Sequence, residues 1–287
     1  MNATTAALPA RQTLPASPAA LSAALTFIRP QAEKPVLESA ALTGGAPREL
    51  FATENRAVAI HDLRPLAGVL SLDREGFVLR RAPTAVADLY DDAAVEGAYY
   101  AEIEALVTRA LGASRVAIFD ATRRSDAGAA NRDGTRGPAG RVHVDYTEAS
   151  GPRRAADVLG EAEVERLLAA GARIVQVNVW RPIRGPVERS PLALADAASV
   201  RPQDLVATDQ VFPDRIGEIY HLAHHPAQRW YYAPAMTPDE VVLIKGWDSL
   251  ADGRARFTPH SAFRLPQQRP DAPPRESIEV RTFAVIE

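Results

Sequence analysis

The segment Arg141-Val142-His143-Val144-Asp145-Tyr146 constrains this chain more than any other. It reads as a β-strand, and alternation along a strand puts His143 and Asp145 on one face. His260 follows 115 residues after Asp145, and Arg275-Glu276-Ser277 lies shortly beyond it. Two imidazoles and one carboxylate make the three-donor face that holds non-haem Fe(II) and leaves coordination positions open. An Arg two residues before a Ser, downstream of the distal His, is what the far carboxylate of a bidentate keto acid requires. Used together, these residues demand a fold in which strands distant in sequence lie close in space.

Chance must be weighed against this. Six His and 36 acidic residues in 287 positions give roughly one His-x-acid pair by accident. The alternative for His143 and Asp145 is an ordinary hydrogen-bonded pair on a polar strand face. Context favours the metal: the pair follows a Gly-rich stretch, and His260 sits in Thr258-Pro259-His260-Ser261-Ala262-Phe263 at the edge of a β-rich second half.

Composition removes competitors. The chain has no Cys, which excludes disulfides, thiolate metal sites and a Cys nucleophile. Its net charge is −3 with the basic residues scattered, so there is no electrostatic footprint for nucleic acid. No apolar run approaches the ~20 residues of a membrane span. The N-terminus lacks the charged start and continuous apolar run of a signal peptide. These observations predict a cytoplasmic protein with a small-molecule substrate and neither nucleic-acid nor membrane partner; a homodimer is left open.

Residues 1–20, rich in Ala, Thr and Pro, predict a loose tail, and residues 21–287 predict one domain with a helical N-terminal part. Strands are expected over 25–30, 56–62, 77–80, 116–119, 141–146, 173–180, 218–222, 228–232, 241–245 and 277–285. Helices are expected over 91–111, 154–170 and 199–207, the last capped by Ser199. The stretch 123–140 reads as a loop, with a lid as one use for it. Many short strands between turn signals predict an α+β, mainly β fold: a double-stranded β-helix (jelly-roll) barrel with flanking helices.

Further candidates follow from strand faces. Arg275, Ser277, Glu279 and Arg281 share one face of the last strand, opposite Ile278 and Val280; the plain alternative is a half-buried edge strand with a solvated face. Arg275 is expected to fork onto a carboxylate while Ser277 donates a further bond. Arg281 is the rival anchor, or a partner for Glu279. Asn178, Trp180, Arg181 and Arg281 are candidate substrate contacts, the arginines suggesting an anionic, amino-acid-derived molecule. His221, His224 and His225 make a poor second metal site, because adjacent residues do not converge in extended chain. Trp230, Tyr231 and Tyr232 read as core.

The order of segments is also informative. Arg141-Val142-His143-Val144-Asp145-Tyr146-Thr147 precedes Gly151-Pro152-Arg153, Asn178-Val179-Trp180-Arg181-Pro182, Gly185-Pro186-Val187 and Pro191-Leu192-Ala193-Leu194-Ala195-Asp196. Then come Arg229-Trp230-Tyr231-Tyr232, Leu243-Ile244-Lys245-Gly246-Trp247-Asp248-Ser249, Pro259-His260-Ser261-Ala262-Phe263 and the block from Pro274 to Arg281. Together these resemble the family containing the cephamycin methoxylation component CmcJ, the aspergillic acid hydroxylase and related fungal oxygenases of secondary metabolism, over residues 50–287. The resemblance implies a double-stranded β-helix, Fe(II) on His143, Asp145 and His260, 2-oxoglutarate bound through Arg275, and dioxygen as the second cosubstrate. It implies hydroxylation, desaturation or oxidative cyclisation of a small metabolite, and leaves the substrate open. Ala195 stands where the family commonly has Cys, away from the proposed site.

Two rivals remain at this level. One is a non-catalytic metabolite-binding or partner subunit of a two-component system, which would tolerate loss of all three metal donors. The other is a zinc hydrolase on the same triad, which would need neither dioxygen nor keto acid.

Overall fold

A computed structural model describes residues 20–128, 132 and 134–287. The expected tail over 1–20 thus lies, except for Ala20, outside the described residues, as do 129–131 and 133 of the expected loop. In chain order the strands are β1 (Ala20–Ile28), β2 (Val36–Glu38), β3 (Arg48–Glu49), β4 (Thr53–Asp62), β5 (Phe77–Arg81), β6 (Arg115–Ser125), β7 (His143–Val144), β8 (Arg173–Pro182), β9 (Leu192–Ala195), β10 (Leu205–Val211), β11 (Ile216–Leu222), β12 (Trp230–Tyr232), β13 (Glu240–Asp248), β14 (His260–Ala262) and β15 (Glu276–Ile286). The helices are α1 (Ala40–Thr43), α2 (Asp92–Ala94), α3 (Tyr100–Leu111), α4 (Ser150–Leu159) and α5 (Glu161–Ala169).

The strands form two sheets. One is antiparallel, in the order β5-β13-β8-β15-β6; the other is mixed, in the order β1-β4-β12-β9-β14-β7-β11-β10-β2-β3. Side chains of β8 and β13 share one buried cluster with Leu192 and Leu194 of β9 and Tyr231 of β12, so the two sheets face each other. This is the expected jelly roll.

Alternation on β15 shows how the sequence positions the site. Ile278, Val280 and Ala284 pack with Tyr99, Ile103 and Val107 of the helical layer outside the five-stranded sheet. The other face carries Arg275, Glu279 and Arg281 inward, then Phe283 and Val285 against α4 and α5. Gly151 lets α4 approach closely, because a Cβ there would fall 2.4 Å from the Trp247 ring.

The helix expected over 91–111 forms with its expected ends: the Asp91 side chain accepts from the amides of Ala93 and Ala94, and Gly112 closes it at φ +66. Within it, Val95–Tyr99 make a π-turn, and Tyr99 is fully buried. The helix expected over 154–170 is instead two helices, broken at Gly160 with φ +93. The helix expected over 199–207 is a correction. Asp196, not Ser199, caps a short turn over Ala197–Ser199, Pro202 opens a second, and residues 205–211 pair with β11 as strand β10. Pro202 is compatible with a helix start, as its place at the head of the second turn shows, and it is pairing with β11 that makes 205–211 a strand.

Candidate metal and cosubstrate site

The short strand β7 lies between β11 and β14, and His143 pairs in register with His260. Residues directly opposite on paired strands project to the same side, and the two rings stand 4.6 Å apart at 51°. Asp145 follows the end of β7 by one residue and returns to the same point. One donor atom from each of His143, Asp145 and His260 lies within 4.8 Å of the others, the one such group among the described residues.

The backbone sets the imidazoles. Nδ1 of His143 lies 2.8 Å from the carbonyl of Arg141, and Nδ1 of His260 lies 3.0 Å from that of Thr258. Each Nδ1–H therefore donates to a carbonyl two residues upstream, and each Nε2 offers its lone pair inward. Burial, followed by the neighbouring His260, pushes the His143 imidazole down to about 3, so it is neutral at physiological pH. Burial opposes ionisation of Asp145, but Arg281, the two imidazoles and a hydrogen bond from Asn178 outweigh it and hold the carboxyl well below the usual range. Neutral imidazole and ionised carboxylate are the states that ligate a divalent cation.

A narrow cleft leads from His143 and His260 between Trp180, Leu192 and Ala262 on its apolar side and Arg124, Arg275 and Glu279 on its polar side. Arg275 is buried, with its guanidinium 5.7 Å from the Trp180 ring centre. Its backbone amide donates to Asp126 at 2.8 Å and its Nη1 to the Ser190 carbonyl at 2.9 Å. Its Nε and Nη2 have no partner among the described residues. Burial, then repulsion from Arg124, lowers the Arg275 guanidinium to about 10. Two like charges side by side, one of them buried with two donors unmet among the described residues, fit an anion. The donor set thus fits iron, and the cleft fits a carboxylate-bearing cosubstrate.

The remaining candidates divide. Ser277 is buried and donates to the Arg124 carbonyl at 3.5 Å. Trp180 lines the cleft. Asn178 donates to Oδ2 of Asp145 at 2.7 Å. Arg281 donates its Nε to the same oxygen at 2.9 Å, and its other nitrogens bond Asp120, Glu279 and Thr122. Arg181 is a correction. It points away from the cleft, donating to the Tyr99 hydroxyl at 2.9 Å and to the Pro238 carbonyl, because it alternates with Trp180 along β8. Neither Arg281 nor Arg181 presents a free cation to a substrate, so the case for an anionic substrate falls with them.

His221, His224 and His225 do not converge: His221 meets Thr208 at 3.0 Å, His224 packs on Phe27, and His225 accepts from the Ala227 amide. Trp230 and Tyr231 are core, packed on Phe27 and Phe77. Sequence reasoning missed Arg124. The alternation Asp120, Thr122, Arg124 carries β6 beyond its expected end at Phe119, and those three pair with Arg281, Glu279 and Ser277.

A jelly roll bearing two histidines and a carboxylate beside a cationic cleft defines a class of metal-dependent oxidoreductases. Comparisons with known proteins agree. A family model described as "Oxidoreductase/YMDC permease-like domain" matches residues 25–285. The hydroxylase/desaturase efuI of Hormonema carpetanum is 33% identical over 92% of this chain and 94% of its own length. The Fe(II)/2-oxoglutarate-dependent dioxygenase nvfI of Aspergillus novofumigatus is 35% identical over 78% of this chain and 81% of its own. A solved structure of the iron and alpha-ketoglutarate-dependent endoperoxidase NvfI superposes with a TM-score of 0.83 at 30% identity, covering 93% of this chain and 98% of that one. The chain belongs to this oxidoreductase family, that of the Fe(II)- and 2-oxoglutarate-dependent oxygenases. Among the described residues no helix is long and apolar enough to cross a membrane.

Proposed function

We propose that this enzyme is a non-haem iron oxygenase in which His143, Asp145 and His260 hold Fe(II) and Arg275 anchors 2-oxoglutarate, for oxidation of a small secondary metabolite. The observation that carries the cosubstrate assignment is the pair of unmet nitrogens on Arg275, in a cleft that ends at the two histidines. Arg281, the rival anchor, has its nitrogens engaged by Asp145, Asp120, Glu279 and Thr122.

Fe(II) with 2-oxoglutarate and dioxygen supplies the oxidising chemistry, coupling decarboxylation of the keto acid to attack on a C–H bond. The chain binds, orients and shields. Nε and Nη2 of Arg275 would hold the distal carboxylate, with Arg124 adding a second positive charge and Ser277 standing on the same strand face. Trp180, Leu192 and Ala262 line the cleft with apolar surface and would exclude water from a bound keto acid. Backbone carbonyls accept the Nδ1 protons of His143 and His260 and so turn each Nε2 toward the metal position, while burial keeps the His143 ring neutral.

Residues 21–287 act as one catalytic domain in this proposal, in the cytoplasm. Hydroxylation, desaturation and oxidative ring formation are all within the chemistry of such a site, and the relatives include a hydroxylase/desaturase and an endoperoxidase. The resemblance of these blocks to CmcJ and the aspergillic acid hydroxylase supports placing the enzyme beside them, with an amino-acid-derived substrate. The test is oxygen-dependent release of succinate by purified protein given Fe(II) and 2-oxoglutarate. His143→Ala, Asp145→Ala and His260→Ala should each abolish it. Pathway function that survives all three would establish a non-catalytic partner instead.

A further inference from the structure

Of the three metal donors, Asp145 alone has a variable binding mode, since a carboxylate reaches a cation through one oxygen or two. The structure treats its two oxygens differently. Oδ1 lies 3.5 Å from Nε2 of His143, within the donor cluster. Oδ2 accepts from Asn178 at 2.7 Å and from Nε of Arg281 at 2.9 Å.

Both donors to Oδ2 are themselves fixed. Asn178 is fully buried, and its own Oδ1 accepts from Gln176 at 2.6 Å. Arg281 is held by Asp120, Glu279 and Thr122. The two stand opposite each other in register, Asn178 on β8 and Arg281 on β15. Neighbouring strands of one sheet therefore deliver both bonds to the same oxygen.

From this geometry we infer that Arg281 and Asn178 are positioning residues that confine Asp145 to a single metal-facing oxygen. Two donors occupy Oδ2, and swinging it toward the ion would break both and leave a buried guanidinium short of a partner. A six-coordinate ion on three protein atoms keeps three positions for its other ligands, and a chelating Asp145 would remove one. The clamp preserves that position for cosubstrate. This rests on the iron assignment for His143, Asp145 and His260.

Mn(II) is a suitable probe, because it takes octahedral oxygen and nitrogen sites and its bound waters are countable by line broadening in oxygen-17 water. Arg281→Lys keeps the charge that Asp120 and Glu279 need but loses the planar fork; Asn178→Ala removes one bond with no change in charge. In the full-length protein each variant should carry one exchangeable water fewer on Mn(II) than wild type. Each should bind 2-oxoglutarate on the order of 10-fold more weakly in the Mn(II)-loaded form. Should Arg281→Lys fail to fold, Asn178→Ala decides alone. A wild-type water count in the folded variants would overturn the clamp. His143→Ala is the control: Mn(II) affinity unchanged in that variant would overturn the metal assignment, and the clamp with it.

Discussion

Lys245 and Arg275 are both buried cations on strands or strand ends of the same sheet, yet their surroundings differ in kind. Lys245 donates to Asp73 at 2.7 Å and to Asp248 at 2.8 Å; Arg173 meets the same two carboxylates, and Arg254 bonds Asp73 at 3.0 Å. Arg275 instead neighbours Arg124 and, among the described residues, its guanidinium touches only backbone and an aromatic face and keeps two nitrogens unmet. Charges that close on one another stabilise a scaffold. Like charges with idle donors define a place for something the chain does not itself supply.

That contrast gives opposite expectations for removing each cation. Arg275→Leu should raise KM for 2-oxoglutarate roughly 30-fold or more, from the ~2–5 kcal/mol typical of truncating a buried charged pair. It should not lower stability without ligand, because it deletes a buried charge that lacks an ion-pair partner among the described residues. Lys245→Met should do the reverse: chemical denaturation should show a loss of about 3–5 kcal/mol, with KM for 2-oxoglutarate unchanged. Equal destabilisation by the two substitutions would erase the distinction.

Smaller effects sharpen it. Arg124→Leu should raise KM for 2-oxoglutarate roughly 10-fold, since it removes a second positive charge and not the anchor. The scaffold cluster should also report through pH. Burial raises the Asp73 carboxyl, but Arg173 and Lys245 prevail and bring it from 3.8 to about 2. With its folded value below its unfolded one, Asp73 contributes stability that is present above 3.8 and lost as pH falls toward about 2. Denaturation curves across that window should flatten in Asp73→Asn; an unchanged pH dependence would count against the pairing.

How much of this was legible in the sequence depended on the range of the interaction. His143, Asp145 and His260 were readable because alternation on a strand and a donor set are properties of short segments. Arg275 was preferred over Arg281 only weakly, because the two share a strand face and differ in partners from other strands. Those partners, Asp120 on β6 and Asp145 beyond β7, lie more than a hundred residues from Arg281 in sequence. Arg181 was misread for a related reason: its polarity suggested a cavity, whereas Tyr99, set by a π-turn, accepts its bond on the other side of the sheet. The segment 205–211 lacks a decisive local signal and becomes a strand through pairing with β11.

The most direct measurement is anaerobic addition of 2-oxoglutarate to Fe(II)-loaded protein, followed by the visible charge-transfer absorption of a keto acid chelated to Fe(II). Wild type should develop the band at one equivalent of each, Arg275→Leu should need far more 2-oxoglutarate to reach it, and His143→Ala should not form it. No band in wild type, or an undiminished band in His143→Ala, would contradict the assignment of this site.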